Sequence, residues 1–209
     1  MPPPARVRAP SPDEGIRAFQ SRNNNHLGQP LGADGILGPE TLWALQLATA
    51  HADRQAIVAR ALAKVGTREN PPGSNRGREI DEWVTRCRAP LGSPWCAASA
   101  SHSLAYSRAI AGAILLLESF PETPVTHVCP GDVYAYRTDM HGHGHIGILL
   151  GSDLGRVMGV EGNVDSEQRV VSRLSAGLRF GRTCSDTTGV CPGVIESVPH
   201  HRTEAAGTR

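Results

Sequence analysis

The apolar positions of this chain change their period once, near Pro121, and that change sets the expected architecture. Over residues 11–22 (SPDEGIRAFQSR), Ile16, Phe19 and Gln20 share a helical face. Ser11, Pro12 and Glu14 supply an N-cap, a first-turn proline and a capping-box partner. A polar Asn run follows, then GQPLGADGILGPETLWALQLATA, in which Asp34-Gly35 and Gly38-Pro39 mark tight turns. Pro39 opens a second helix with Leu42, Leu45, Leu47 and Ala48 placed to pack inward. A third helix starts at Asp53 and repeats Ile57, Val58, Ala61, Leu62 and Val65 at helical spacing, with Gly66 as its stop. After a loop rich in Pro, Gly and Asn over 69–77, one helix runs through Ile80 and Trp83, and Pro94-Trp95-Cys96 opens another. The apolar run over 109–117 reads as a buried helix. Beyond Pro121 the β-type residues take over: 133–136, 143–150, 157–163 and 169–174 read as four strands. Helices first and strands after is an α+β order, not an alternating one.

Length and composition refine this only modestly. The 209 residues suggest one domain with an appendage: a flexible leader (1–10), a small helical module (11–52), a main domain (53–198) and a flexible polar tail (199–209). A two-helix module of that size is small for independent stability. At 39% hydrophobic residues the chain can build a core, and a net charge of +1 lacks the positive surplus of a nucleic-acid binder. No stretch approaches the roughly 18 apolar residues of a membrane span, so no membrane insertion is expected. The first residues carry arginines without the apolar core of a Sec-type signal, so a chain acting outside the cytoplasm would need release or another export route. Cys87, Cys96, Cys129, Cys184 and Cys191 contain no CxxC, which argues against structural zinc. Their odd number leaves a free thiol, and the pairings Cys184–Cys191 and Cys87–Cys129 stay open.

The candidate chemistry centres on Cys96. A cysteine at a helix start meets backbone N–H groups and a dipole that favour the thiolate, and the same N–H groups can hold an oxyanion. His145, in GHGHIGILLG, offers an imidazole able to take the thiol proton and return it to a leaving amine. His141, His143 and His145 share one face of an ideal strand, which raises a metal reading. Ligands at i, i+2 and i+4 spread over about 13 Å, too far for one ion, so no metal is expected. Glu161 and Asn163 in VEGNV also share a strand face, and either can orient the far nitrogen of the imidazole.

Two resemblances follow from these residues. The run Asp34-Gly35-Ile36-Leu37-Gly38-Pro39-Glu40-Thr41, with Phe19-Gln20 upstream and Leu45 downstream, resembles the peptidoglycan-binding repeat of cell-wall enzymes. Pro94-Trp95-Cys96-Ala97-Ala98, Pro130-Gly131-Asp132, Gly144-His145-Ile146-Gly147-Ile148 and Glu161-Gly162-Asn163 together resemble the CHAP family of cysteine- and histidine-dependent amidohydrolases/peptidases, over roughly residues 55–176. The second resemblance implies a papain-like cysteine hydrolase domain with Cys96 as nucleophile, His145 as general base, and Glu161 and Asn163 as the orienting positions. Pro90 stands six residues before Cys96, where papain-type enzymes keep a glutamine oxyanion donor, so the second donor is unassigned. No acidic calcium loop like that of some relatives is present. Together the resemblances imply a monomeric, cofactor-free, phage-lysin-like enzyme acting at the bacterial cell wall. Its partner is peptidoglycan, cleaved at the muramoyl-L-alanine bond, in the stem peptide or in a cross-bridge. Asp34, Gly35 and Trp95 are the expected substrate contacts. The alternative is a wall-binding protein whose cysteine domain has lost catalysis.

Overall fold

A computed structural model describes residues 11–141, 143–153 and 155–184, so the expected leader, the tail and Cys191 lie outside the described residues. Six helices precede a sheet: α1 (Pro12–Gln20), α2 (Pro39–Thr49), α3 (Ala52–Leu62), α4 (Arg78–Arg86), α5 (Cys96–Ser103) and α6 (Ala113–Glu118). The strands are β1 (Val133–Arg137), β2 (Gly144–Ser152), β3 (Arg156–Val164), β4 (Glu167–Leu174) and β5 (Arg179–Gly181). They form one antiparallel sheet in the order β4-β3-β2-β1-β5. The α+β order holds, and the helix starts expected at Pro12, Pro39 and Cys96 are present. Ser11 caps α1 with the full reciprocal capping box, and Pro39 occupies the first turn of α2. Strand β5 and a 3-10 turn over Val125–His127 add to the expected elements, and α6 is shorter than its apolar run.

Cross-strand register sorts the sheet into two faces. Val133, Ala135, Ile146, Ile148, Leu150 and Val160 share one buried cluster with Ile57 and Ala61 of α3, Ala97 and Ala100 of α5, and Leu116 of α6. Tyr134, Leu149, Val157 and Phe180 pack with Val128 on the other face. Burial of these aliphatic side chains contributes about 1.5–3 kcal/mol each before entropy is counted. A second cluster joins Ile80, Trp83 and Val84 of α4 to Trp95 and Ala98 around the start of α5.

Residues 11–52 do not stand apart. Leu31, Trp43 and Ala44 belong to the same buried cluster as the sheet. The Gln46 amide donates to Ser152 O at 3.2 Å and accepts from Ser152 N at 3.3 Å, so a side chain of α2 pairs with the end of β2. A two-helix unit of this size has too little interior to bury its own apolar stripe, and the sheet supplies the missing surface.

The DG–GP turn has its own internal clamp. Gln20 is buried, and its Nε2 donates to Asp34 Oδ1 (2.8 Å), Ile36 O (3.0 Å) and Thr41 Oγ1 (3.1 Å), while its Oε1 accepts from Gly35 N (2.9 Å). Gly35 takes φ +77, and a Cβ there would meet Arg17 Nε at 2.9 Å. The residues that carry the wall-binding resemblance thus fold the turn: of the expected substrate contacts Asp34 and Gly35, the Asp34 Oδ1 and the Gly35 N–H are engaged in internal bonds.

The two pairings that the sequence left open are both excluded, because Cys87 and Cys184 are free thiols, whereas Cys129 is disulfide-bonded. Cys87 is held in the α4–Trp95 cluster, whereas Cys129 sits in the turn before β1.

Candidate active site

Cys96 is the first residue of α5, and Trp95 at the N-cap makes no side-chain hydrogen bond to the helix start. The first-turn N–H groups of a helix have no intrahelical acceptors, and those at the start of α5 lie beside the thiol. The helix comes close because of a glycine. A Cβ at Gly162 would lie 2.6 Å from Ser99 Cβ and 2.7 Å from Trp95 Cζ3, distances no side chain tolerates. Gly162 therefore sets how near α5 approaches β3.

His145 lies on β2, mostly buried, between the thiol and a carboxylate. Its Nε2 is 3.0 Å from Glu161 Oε2, an ion-pair distance bent away from hydrogen-bond alignment. With Nε2 committed to Glu161, Nδ1 is the nitrogen left for Cys96. Burial pushes the imidazole pKa down, but the thiol of Cys96 and the carboxylate of Glu161 outweigh it and raise the value to about 9. The Tyr136 ring packs against the imidazole, with centroids 5.6 Å apart.

Glu161 is fully buried yet richly paired. It accepts from the Tyr134 hydroxyl at 2.7 Å and from Arg173 Nε at 2.9 Å and Nη2 at 2.5 Å. Burial pushes its pKa up, and Arg173, His145 and Tyr134 together bring it down to about 2. Tyr134 reaches it across Gly147, the residue paired with both: Tyr134↔Gly147 and Gly147↔Glu161. A Cβ at Gly147 would sit 2.8 Å from the Tyr134 hydroxyl, and one at Gly159 2.4 Å from it. Two strand glycines thus clear the space in which Tyr134 lies over the sheet.

Of the two expected orienting residues, Glu161 meets the imidazole. Asn163 takes φ +63 within the bulge between Glu161 and Val164, and its amide donates to Asn75 Oδ1 at 3.1 Å. Trp95 is corrected as a substrate contact: it is wholly buried, with its indole N–H donating to Glu69 Oε1 at 2.9 Å. His141 and His143 precede β2 and lie exposed in the β1–β2 turn, where His143 pairs with Asp139. Tyr134, Tyr136 and Arg173 were not singled out from the sequence. Glycines inside two strands were the available signal for Tyr134, since a strand glycine often marks a close approach.

The two titrating members give a pH prediction. Glu161 titrates near 2 in the fold against an ordinary 4.5, so its stabilisation is complete above about pH 4.5 and disappears as pH falls towards 2. His145 titrates near 9 against 6.5, so its contribution is complete below about pH 6.5 and fades as pH rises through 9. Thermal unfolding from pH 2 to 10 should show the acid slope flattened in Glu161→Gln. An acid slope unchanged in that variant would refute the assignment.

No family model, no curated protein and no solved structure matches the chain.

Proposed function

We propose that this protein is a peptidoglycan hydrolase that cleaves amide bonds through Cys96, in a papain-like arrangement. The observation that carries the reading is the convergence of a helix-opening thiol and an imidazole backed by a buried carboxylate. The choice of peptidoglycan rests on the two resemblances, one to a wall-binding repeat and one to wall amidases.

The step begins with transfer of the Cys96 thiol proton to His145, whose protonated form the Glu161 charge favours. The thiolate attacks the scissile carbonyl carbon, and the oxygen's new negative charge turns to the N–H groups at the start of α5. His145 gives its proton to the departing amine nitrogen as the C–N bond breaks, leaving a thioester on Cys96. The neutral imidazole then takes a proton from water, the hydroxide attacks the thioester, and Cys96 leaves as thiolate. Glu161 stays ionised throughout and holds the ring for both transfers. Such a protein works at the bacterial cell wall; among the described residues no helix is long and apolar enough to cross a membrane.

The test is digestion of purified peptidoglycan by the wild type and by Cys96→Ala, with soluble products read by mass spectrometry. Fragments released by the wild type alone are expected, and their ends name the bond. Sedimentation of both proteins with the wall and release by neither would instead establish a non-catalytic wall binder.

A further inference from the structure

One side chain outside the nucleophile, base and carboxylate touches both groups that flank the imidazole. Arg173, the penultimate residue of β4, donates through Nε and Nη2 to the two oxygens of Glu161, at 2.9 and 2.5 Å. Its Cζ also lies 5.4 Å from the centroid of the Tyr136 ring, and that ring packs on His145. The imidazole is thus bordered by a carboxylate and an aromatic ring that share one guanidinium. Such a planar fork fixes the rotation of a carboxylate as well as its charge, and a flat guanidinium face stacks on a ring.

We propose that Arg173 is a positioning residue of this site, clamping Glu161 and Tyr136 so that His145 keeps one orientation towards Cys96. The inference rests on reading Cys96 and His145 as a reactive pair, and it does not depend on which amide is cut. The charged and titratable groups facing the imidazole and its carboxylate are Cys96 from α5, Tyr134 and Tyr136 from β1, and Arg173 from β4. Arg169, the register partner of Glu161, turns instead to Glu167 and Asp165.

Charge and positioning make opposite demands, which is what renders the role testable. A cation near His145 repels the imidazolium, so an arginine acting by charge alone lowers the pH at which the ring loses its proton. An arginine that holds Glu161 in place raises that pH, because the carboxylate stabilises the imidazolium only while it stays in contact. Removal of Arg173 therefore moves the imidazolium titration up if it acts by charge and down if it acts by position.

The experiment alkylates the full chain with iodoacetamide across a pH series and follows the Cys96 peptide by mass spectrometry, which separates it from the free thiols Cys87 and Cys184. The wild type is expected to show a low-pH plateau from the thiolate–imidazolium pair, then a second rise as the ring loses its proton. In Arg173→Ala the second rise is expected to fall by on the order of one pH unit. In Arg173→Lys, which keeps the charge without the fork, it is expected to fall as well, because the repulsion of the imidazolium stays while the hold on Glu161 is lost. A shift to higher pH, or none in either folded variant, overturns the proposal, and Arg173→Lys decides the matter should Arg173→Ala fail to fold. A wild type without the plateau overturns the reactive pair itself, and the proposal with it.

Discussion

Alanine at His145 is expected to lower release of soluble wall fragments by about 10³-fold or more, and adding alanine at Cys96 is expected to cost almost no further factor. The reason is that the two side chains act as one unit. Without the imidazole, the leaving amine has no proton donor and the deacylating water has no base. Without the thiolate, the imidazole has no intermediate to serve. What survives in either case is the contribution of substrate binding and the α5 N–H groups, so single and double variants converge on the same residual rate. Glu161→Gln belongs to the same cycle but should lose less, because it removes an orienting charge and not a reacting atom. The measurement is the initial rate of muropeptide release by the single variants and the double variant at neutral pH. Losses that multiply across the two sites would contradict a thiol–imidazole unit, as would a His145→Ala protein retaining a tenth of the wild-type rate.

How much of this site could be read beforehand depended on which atoms each residue brings. Cys96, His145 and Glu161 carry nucleophile, base and acid, so reactivity and helix or strand placement sufficed to single them out. Asn163 was equally eligible by strand parity, and only the bulge after Glu161 with its left-handed backbone turns it towards Asn75. No pattern of single residues announces such a bulge. Trp95 shows the converse error: it was expected at the substrate, whereas packing against Ile80, Trp83 and Val84 removes it from solvent. Arg173 looked like any charged residue on an exposed strand, because its partners Glu161 and Tyr136 lie on two other strands. Helices α1 and α2 were legible through the Ser11 cap and their first-turn prolines, and α3 through the spacing of its apolar residues. Strand β5, three residues long, is too short to display a period. The packing of 11–52 onto the sheet was hinted at by the small size of that module, but its partner surface belongs to tertiary structure.

The Pro130-Gly131-Asp132 turn leads to the second large effect, on stability. Asp132 is fully buried, and its Oδ1 accepts from Arg54 Nη1 at 2.6 Å and from Thr183 N at 3.0 Å, while Oδ2 accepts from Cys129 N at 2.9 Å. Arg54 is buried as well and also donates to Pro130 O. Gly131 takes φ +87, and a Cβ there would lie 3.1 Å from Arg54 Cα and O, so the turn is fitted against the first turn of α3. These contacts tie α3 to the entry of β1. Asp132→Ala strands a buried guanidinium and two backbone donors, and is expected to lower the unfolding free energy by about 3–5 kcal/mol. For a chain of this size that is a fall in Tm on the order of 10 °C. Asp132→Asn keeps the acceptor oxygen and loses the charge, so it should fall between. Replacing both partners with apolar residues, as in Arg54→Met with Asp132→Leu, should recover much of the loss, since neither member is then left buried and alone. Urea unfolding of the four proteins checks the order. A loss below about 1 kcal/mol in Asp132→Ala would mean that water or rearrangement satisfies Arg54. A double variant no more stable than Asp132→Ala would show that shape at the turn, and not the stranded charge, carries the effect.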